Sequence, residues 1–153
     1  MPRLSNVVAN ERAHLESLEC PTFENTAFVS PRPLKDCRVA LVSSAGLMQR
    51  KGKNISGSSA QYQSFDRSIR DRDLLINHVS VNFDRSGYSE DVNTVFPREL
   101  LNELADDGVI AGVSDPHYSF MGATAPEKMR EYVDQLATEL KENSINTVCL
   151  LPV

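Results

Sequence analysis

Two histidines, a pair of serines and a scatter of carboxylates carry the chemistry this sequence offers. His78 and His117 each follow an apolar run, and Ser43 and Ser44 follow another. Around them lie Ser80, Asp84, Asp91, Asn93, Ser114 and Asp115. An imidazole titrates near neutral pH, so His78 and His117 suit acid, base, hydrogen-bonding or metal-ligand roles, as well as the plainer work of satisfying loop backbone. A metal centre needs three or four ligands, and nothing in the spacing of Asp84, Asp91 and Asp115 assembles one; no metal and no cofactor is expected. Ser43, Ser44, Ser80, Asp84, Asn93 and Asp115 are the candidate substrate-binding residues, although Asp84, Ser86, Gly87, Asp91 and Asn93 equally suit tight turns. No Ser-His-Asp order, nucleophile elbow, phosphate loop or dinucleotide fingerprint is present.

The elements that must position these residues read as an α/β alternation. A helix is expected over 5–19, capped by Ser5 or Asn6 with Val8, Leu15 and Leu18 on its apolar side, ended by Cys20-Pro21 and carrying the third histidine, His14, at the surface. A turn-rich connector runs over 21–36. Val39-Ala40-Leu41-Val42 is a short β-branched apolar run suited to a strand covered on both faces. Residues 47–60 read as a long loop, Gln61–Phe65 as a short strand, and Leu74–His78 as a buried strand. Pro97 opens a helix striped by Leu100, Leu101, Leu104 and Ala105 and closed by Gly108. Val109–Val113 is a strand. Thr124 and Glu127 form a capping box with Pro126 in the first turn, and Met129, Tyr132, Val133, Leu136 and Leu140 follow as a core-facing stripe. Thr147–Val153 closes the series as a strand.

The expected fold is therefore α/β: a mostly parallel sheet flanked by helices in a Rossmann-like three-layer arrangement. Residues 1–153 read as a single α/β domain, with 1–36 as helix and connector and 37–153 as the core. Ligands of such sheets sit beyond the carboxyl ends of the strands, which is the reason for grouping Ser43, Ser44, His78, Ser80, Ser114, Asp115 and His117.

Bulk properties narrow the function. The chain has 153 residues, 41% of them hydrophobic, and a formal net charge of −5. Sixteen basic against 21 acidic residues leave no basic footprint for nucleic acid, and the cluster Arg50, Lys51, Lys53 reads as a solvated loop. No apolar stretch approaches the ~20 residues of a membrane span, and the first residues lack a signal-peptide core. A cytoplasmic location is expected, with no nucleic-acid or membrane partner. Cys20, Cys37 and Cys149 are widely spaced and contain no CxxC, which suits reduced, structural thiols.

Longer motifs carry a resemblance. The run from His78 through Asp84, Gly87, Asp91, Asn93 and Val95-Phe96-Pro97, the later His117-Tyr118-Ser119-Phe120-Met121-Gly122, the stretch Arg38–Gly46 and the closing Val148–Val153 resemble the selenoprotein B family of glycine, sarcosine, betaine and D-proline reductases, over roughly Pro33 to the end. The resemblance implies an oxidoreductase that cleaves a C–N bond in a small amino-acid-like substrate, draws electrons from a thiol-dependent partner such as a thioredoxin system, and uses a selenocysteine or cysteine directly after the final strand. That nucleophile would follow Val153. The expectation is a chain cut at a UGA codon, core incomplete at its C-terminal end and inactive as it stands, with no catalytic residue of its own and with His78 and His117 as assistants. A last strand left uncovered would favour a homo-oligomer. The alternatives are a non-catalytic domain binding a small molecule or a partner, and a metal-dependent site on His78 and His117.

Overall fold

A computed structural model describes residues 3–19, 22, 24, 26–52, 56–57, 59–80 and 83–153. Cys20 and Pro21, expected to end the first helix, fall outside these residues, as does Lys53 of the basic cluster. The chain divides into two compact units, Met1–Pro31 and Arg32–Val153.

The first unit holds a single turn over Leu4–Asn6 and a helix α1 over Ala9–Ser17. The helix is shorter than its sequence suggested. Neither Ser5 nor Asn6 caps it; Val8 occupies the cap position without a side-chain bond. Arg12 instead ties the entry, donating from Nη2 to the carbonyls of Ser5 and Val7, each at 2.9 Å. None of its residues is buried.

The second unit is built on β1, Arg38–Ser43, the apolar run whose central residues Ala40 and Leu41 are wholly buried. On one flank β1 pairs in parallel with two half-length strands. These are β5 (Gly112–Val113), at the level of Arg38 and Val39, and β6 (His117–Ser119), at the level of Val42 and Ser43. On its other flank runs β7, Thr147–Leu151, also parallel, with Val39 opposite Thr147 and Ser43 opposite Leu151. A short strand β3, Gln63–Phe65, adds to β6 antiparallel, so the sheet is mostly parallel and mixed at one edge.

Two expectations are corrected here. Residues 47–60 are not all loop, because Leu47–Gln49 form β2. The run read as a buried strand over Leu74–His78 forms β4 (Leu74–Ile76), which does not join the main sheet; it pairs with β2 antiparallel in a separate two-stranded ribbon. Apolar runs of three residues show that a strand exists but not which neighbour it finds, since register depends on contacts distant in sequence. A further strand, β6, lies where only a polar strand end was read.

The helices follow their signals more closely. A short helix α2 spans Ser86–Glu90, and α3 spans Arg98–Asp106, with Pro97 at its cap and Gly108 beyond its end at φ 70°. The long α4, Pro126–Glu142, starts on its proline, but Ala125 takes the cap position. The capping box does not form: Thr124 Oγ1 donates to the Ser59 carbonyl at 3.0 Å. Leu136 and Leu140 of α4 pack with Ala40, Tyr118, Phe120 and Ile145 on one face of the sheet. Leu41, Leu47, Phe65, Leu74, Val95 and Phe96 form a second cluster. Among the described residues no helix is long and apolar enough to cross a membrane.

Candidate functional site

The site is assembled where two turns interlock past the carboxyl end of β1. The turn Ser43–Gly46 meets the segment Ser119–Gly122 through reciprocal backbone bonds. Phe120 N–H donates to the Ser43 carbonyl at 2.8 Å, Gly46 N–H to that of Phe120 at 2.9 Å, and Gly122 N–H to that of Ser44 at 2.9 Å. The approach requires glycine at two places. Gly46 has φ 63°, and a Cβ there would stand 2.9 Å from Met121 Cε and 3.3 Å from the His78 backbone. A Cβ on Gly122 would lie 2.7 Å from the Ser44 carbonyl oxygen.

The serine hydroxyls serve the backbone. Ser43 is buried, and its Oγ accepts the Ala45 N–H at 3.2 Å. Ser119 Oγ accepts the Leu47 N–H at 3.0 Å. Ser44 Oγ accepts the Val153 N–H at 2.8 Å.

His78 reaches this junction from β4, because Asn77 N–H donates to the Gly46 carbonyl at 2.9 Å. Its Nδ1 accepts the Ser80 N–H at 3.2 Å, so a neutral ring carries its proton on Nε2. That Nε2 is buried and has no partner among the described residues. The ring stacks against Phe83 at 4.9 Å, and Arg85 Nη2 donates to the His78 carbonyl at 2.6 Å. Burial, and then the Arg85 charge, hold the imidazole below its ordinary pKa.

His117 lies elsewhere, within β6 and wholly buried. The ladder on this flank of β1 is broken between β5 and β6, and the ring fills the gap. Its Nδ1 accepts the Leu41 N–H at 3.2 Å, where a neighbouring strand would offer a carbonyl. Phe96 meets it edge-on at 5.9 Å. Burial lowers its pKa to about 4; the Asp115 charge opposes this and the Arg98 and Arg67 charges add to it, so the ring is neutral at pH 7. Its Nε2, like Ser114 Oγ nearby in the chain, is buried without a partner among the described residues.

The remaining candidates are spread out. Asp84 is exposed and accepts the Ser86 N–H at 2.9 Å, the bond that chiefly lowers its pKa. Asn93 donates to Asp91 Oδ1 from both its backbone, at 2.8 Å, and its side chain, at 3.0 Å. Asp115 Oδ1 accepts the Arg67 N–H at 2.9 Å. Thus the fold brings Ser43, Ser44 and His78 to one junction, while Asp84, Asn93 and Asp115 each secure a separate turn. Among the described residues no group of three or more His, Cys, Asp or Glu side chains could hold a metal ion.

Beside the junction opens an apolar groove of about 570 Å³ between β7 and α4. Ser43, Ser44, Leu151 and Pro152 line one part of it, and Met129, Val133, Leu140, Val148 and Leu150 another. The volume lies in the range of small-molecule sites. Two supports escaped the sequence reading, the buried Arg98 and the half-buried Glu139. Arg98 donates to the Arg67 carbonyl at 3.2 Å and pairs with Asp71. Glu139 accepts from both Tyr62 and Tyr118. Glu139 could have been found from its place among the core-facing residues of α4.

A family model for glycine/sarcosine/betaine reductase selenoprotein B matches residues 9–152. The chain belongs to that family. Among curated relatives, the D-proline reductase subunit gamma of Acetoanaerobium sticklandii is 30% identical over 124 residues, covering 78% of this chain and 50% of its own length. The glycine reductase complex component B subunit gamma of Symbiobacterium thermophilum is 26% identical over 139 residues, covering 85% of this chain and 32% of its own length. This member of the selenoprotein B family thus spans half, or less, of the relatives it matches. No solved structure matches it.

Proposed function

We propose that this chain forms the pocket of a selenoprotein B-type reductase, in which a selenolate or thiolate follows Val153 and cleaves the C–N bond of a small amino-acid-like substrate. The observation that supports the reading most directly is the course of the chain at the site. β7 ends at Leu151 beside the Ser43–Gly46 turn, and the Val153 N–H is held by Ser44. The next residue therefore starts from the carboxyl edge of the sheet, where α/β folds place their ligands.

In this reading the nucleophile attacks the substrate α-carbon, and the C–N bonding pair leaves on nitrogen, which takes up a proton. A thiolate of a reducing partner such as a thioredoxin system then attacks the selenium or sulfur, its bond to the substrate carbon breaks with the pair left on that carbon, which takes up a proton, and a second partner thiol closes a disulfide and restores the nucleophile. A selenolate suits the first step because it is ionised at neutral pH; a thiol there needs a lowered pKa. His78 is the nearer assistant. Neutral and protonated on Nε2, it offers a hydrogen bond to the developing anion. His117 and the carboxylates act by holding the sheet and turns. Cys149 does not replace the missing atom: it is half-buried within β7 and packs into the core. The chain ending at Val153 is therefore expected to show no reductase turnover by itself. A cytoplasmic setting and a Rossmann-like layering belong to the same proposal.

The deciding experiment is to read the gene beyond the Val153 codon and assay the continued protein with a cysteine in place of selenocysteine. Thiol-dependent release of amine from glycine, sarcosine or betaine, or ring opening of D-proline, is the expected result. A stop codon other than UGA, or UGA with no open frame behind it, sinks the reading and favours a domain that binds without catalysing.

A further inference from the structure

We propose that Ser44 is a positioning residue: it fixes the backbone that leads from β7 to the catalytic position, and it does not bind substrate. The inference rests on the reading that the nucleophile follows Val153.

The geometry at Ser44 is over-determined. Its N–H donates to the Leu151 carbonyl at 3.0 Å, continuing the β1–β7 ladder by one step. The next rung of this parallel ladder would run from the Val153 N–H to the Ser44 carbonyl, but that carbonyl accepts the Gly122 N–H at 2.9 Å. The hydroxyl stands in for it. Ser44 Oγ takes the Val153 N–H at 2.8 Å and lies 3.4 Å from the carbonyls of both Leu151 and Val153. One side chain thereby addresses both residues on either side of the proline.

Ser44 is itself held rigidly. Gly122 backs it so closely that an added Cβ would come within 2.9 Å of the Ser44 Cβ and 3.0 Å of its Oγ. The floor that fixes Ser44 is thus the interlocked pair of turns. A nucleophile aimed from a wobbling terminus loses the near-attack geometry that makes a bound substrate reactive. A hydroxyl clamp one residue before the nucleophile supplies that aim. It also explains why a serine, and not a bulkier or apolar residue, stands at this corner.

The test has two arms. In the chain as it stands, amide hydrogen exchange is followed at Val153 and along β7 in the wild type and in Ser44→Ala. The clamp predicts a protected Val153 amide in the wild type and at least tenfold faster exchange there in the variant, with Cys149 and Leu150 unchanged. A wild-type Val153 amide exchanging at the free-chain rate overturns the proposal without any variant. So does a Ser44→Ala protein in which the whole strand loosens together, since that is a structural role only. In the continued protein with cysteine after Val153, Ser44→Ala should lower kcat at least tenfold while KM stays within twofold. An unchanged kcat, or a loss confined to KM, overturns the positioning role. If no reading frame continues, the proposed function fails while the exchange arm still decides whether Ser44 clamps Val153, so the two failures are told apart.

Discussion

At the scale of single residues, His117 shows how a group suited to catalysis can be taken up by architecture. Its Nδ1 stands in for a strand carbonyl opposite Leu41, and its burial keeps it neutral. The folded pKa of about 4 lies below the unfolded value near 6.5. Between those limits the unfolded chain binds a proton that the native protein refuses. The contribution is therefore complete above pH 6.5 and is lost as the pH falls toward 4, by about 3 kcal/mol over the full window. Urea titrations at pH 7 and pH 4.5 should register the drop. His117→Ala should remove this part of the slope and cost about 3 kcal/mol at pH 7, because it strands the Leu41 N–H and leaves a hole. Gly46→Ala tests the other tight point. At φ 63°, with Met121 and the His78 backbone within 3.3 Å, it should destabilise by about 1–2 kcal/mol in the same titration. The two histidines were conspicuous in the sequence because of their residue type. That they occupy different levels of the fold was not readable, since it depends on β6 being a strand and on β4 leaving the main sheet.

At the scale of elements, α4 is fastened to the sheet by more than its apolar stripe. Glu139 receives Tyr62 Oη at 2.9 Å and Tyr118 Oη at 2.8 Å, one on each carboxylate oxygen. The two rings meet edge-to-face at 5.5 Å. Burial, first, and then the carboxylate hold both phenols above their ordinary pKa, so they remain donors throughout the neutral range. Glu139→Ala should lower stability by about 2 kcal/mol, with Glu139→Gln losing less because its carbonyl oxygen still accepts one hydroxyl. Thermal melts of the pair check the order. The stripe on α4 and the Pro126 start were legible from spacing. The absent capping box was not, because Thr124 is drawn away by the Ser59 carbonyl, a partner far off in sequence. In the same way β1 and β7 announced themselves by apolar runs, whereas β2 lay in a stretch that read as loop and the run of β4 was too short to say where it would pair.

At the scale of the whole molecule, every described core cluster falls within Arg32–Val153. A protein beginning at Arg32 should accordingly melt cooperatively and keep its far-UV dichroism; a broad, non-cooperative melt would contradict this. The resemblance to the selenoprotein B family was carried by ordered motifs, of which the fold collects three at one junction, the 43–46 turn, the 119–122 segment and the His78 loop. The substrate was not legible, because the pocket-lining hydroxyls turn out to serve backbone groups and the groove beside them is apolar.

The place of β1 has a consequence for how this protein is made. It is translated well before its partners: Leu41 meets His117 across 76 residues, and Arg38 meets Asn146 across 108. Until β5, β6 and β7 have left the ribosome, Val39–Val42 is an apolar segment with no sheet to join. Nascent chains in that condition fold slowly and are prone to associate with one another. Slower synthesis at low temperature, or a chaperone that shields that stretch, should raise the soluble yield more than any change at the surface. The strand on which the sheet depends is also the one that waits longest for company.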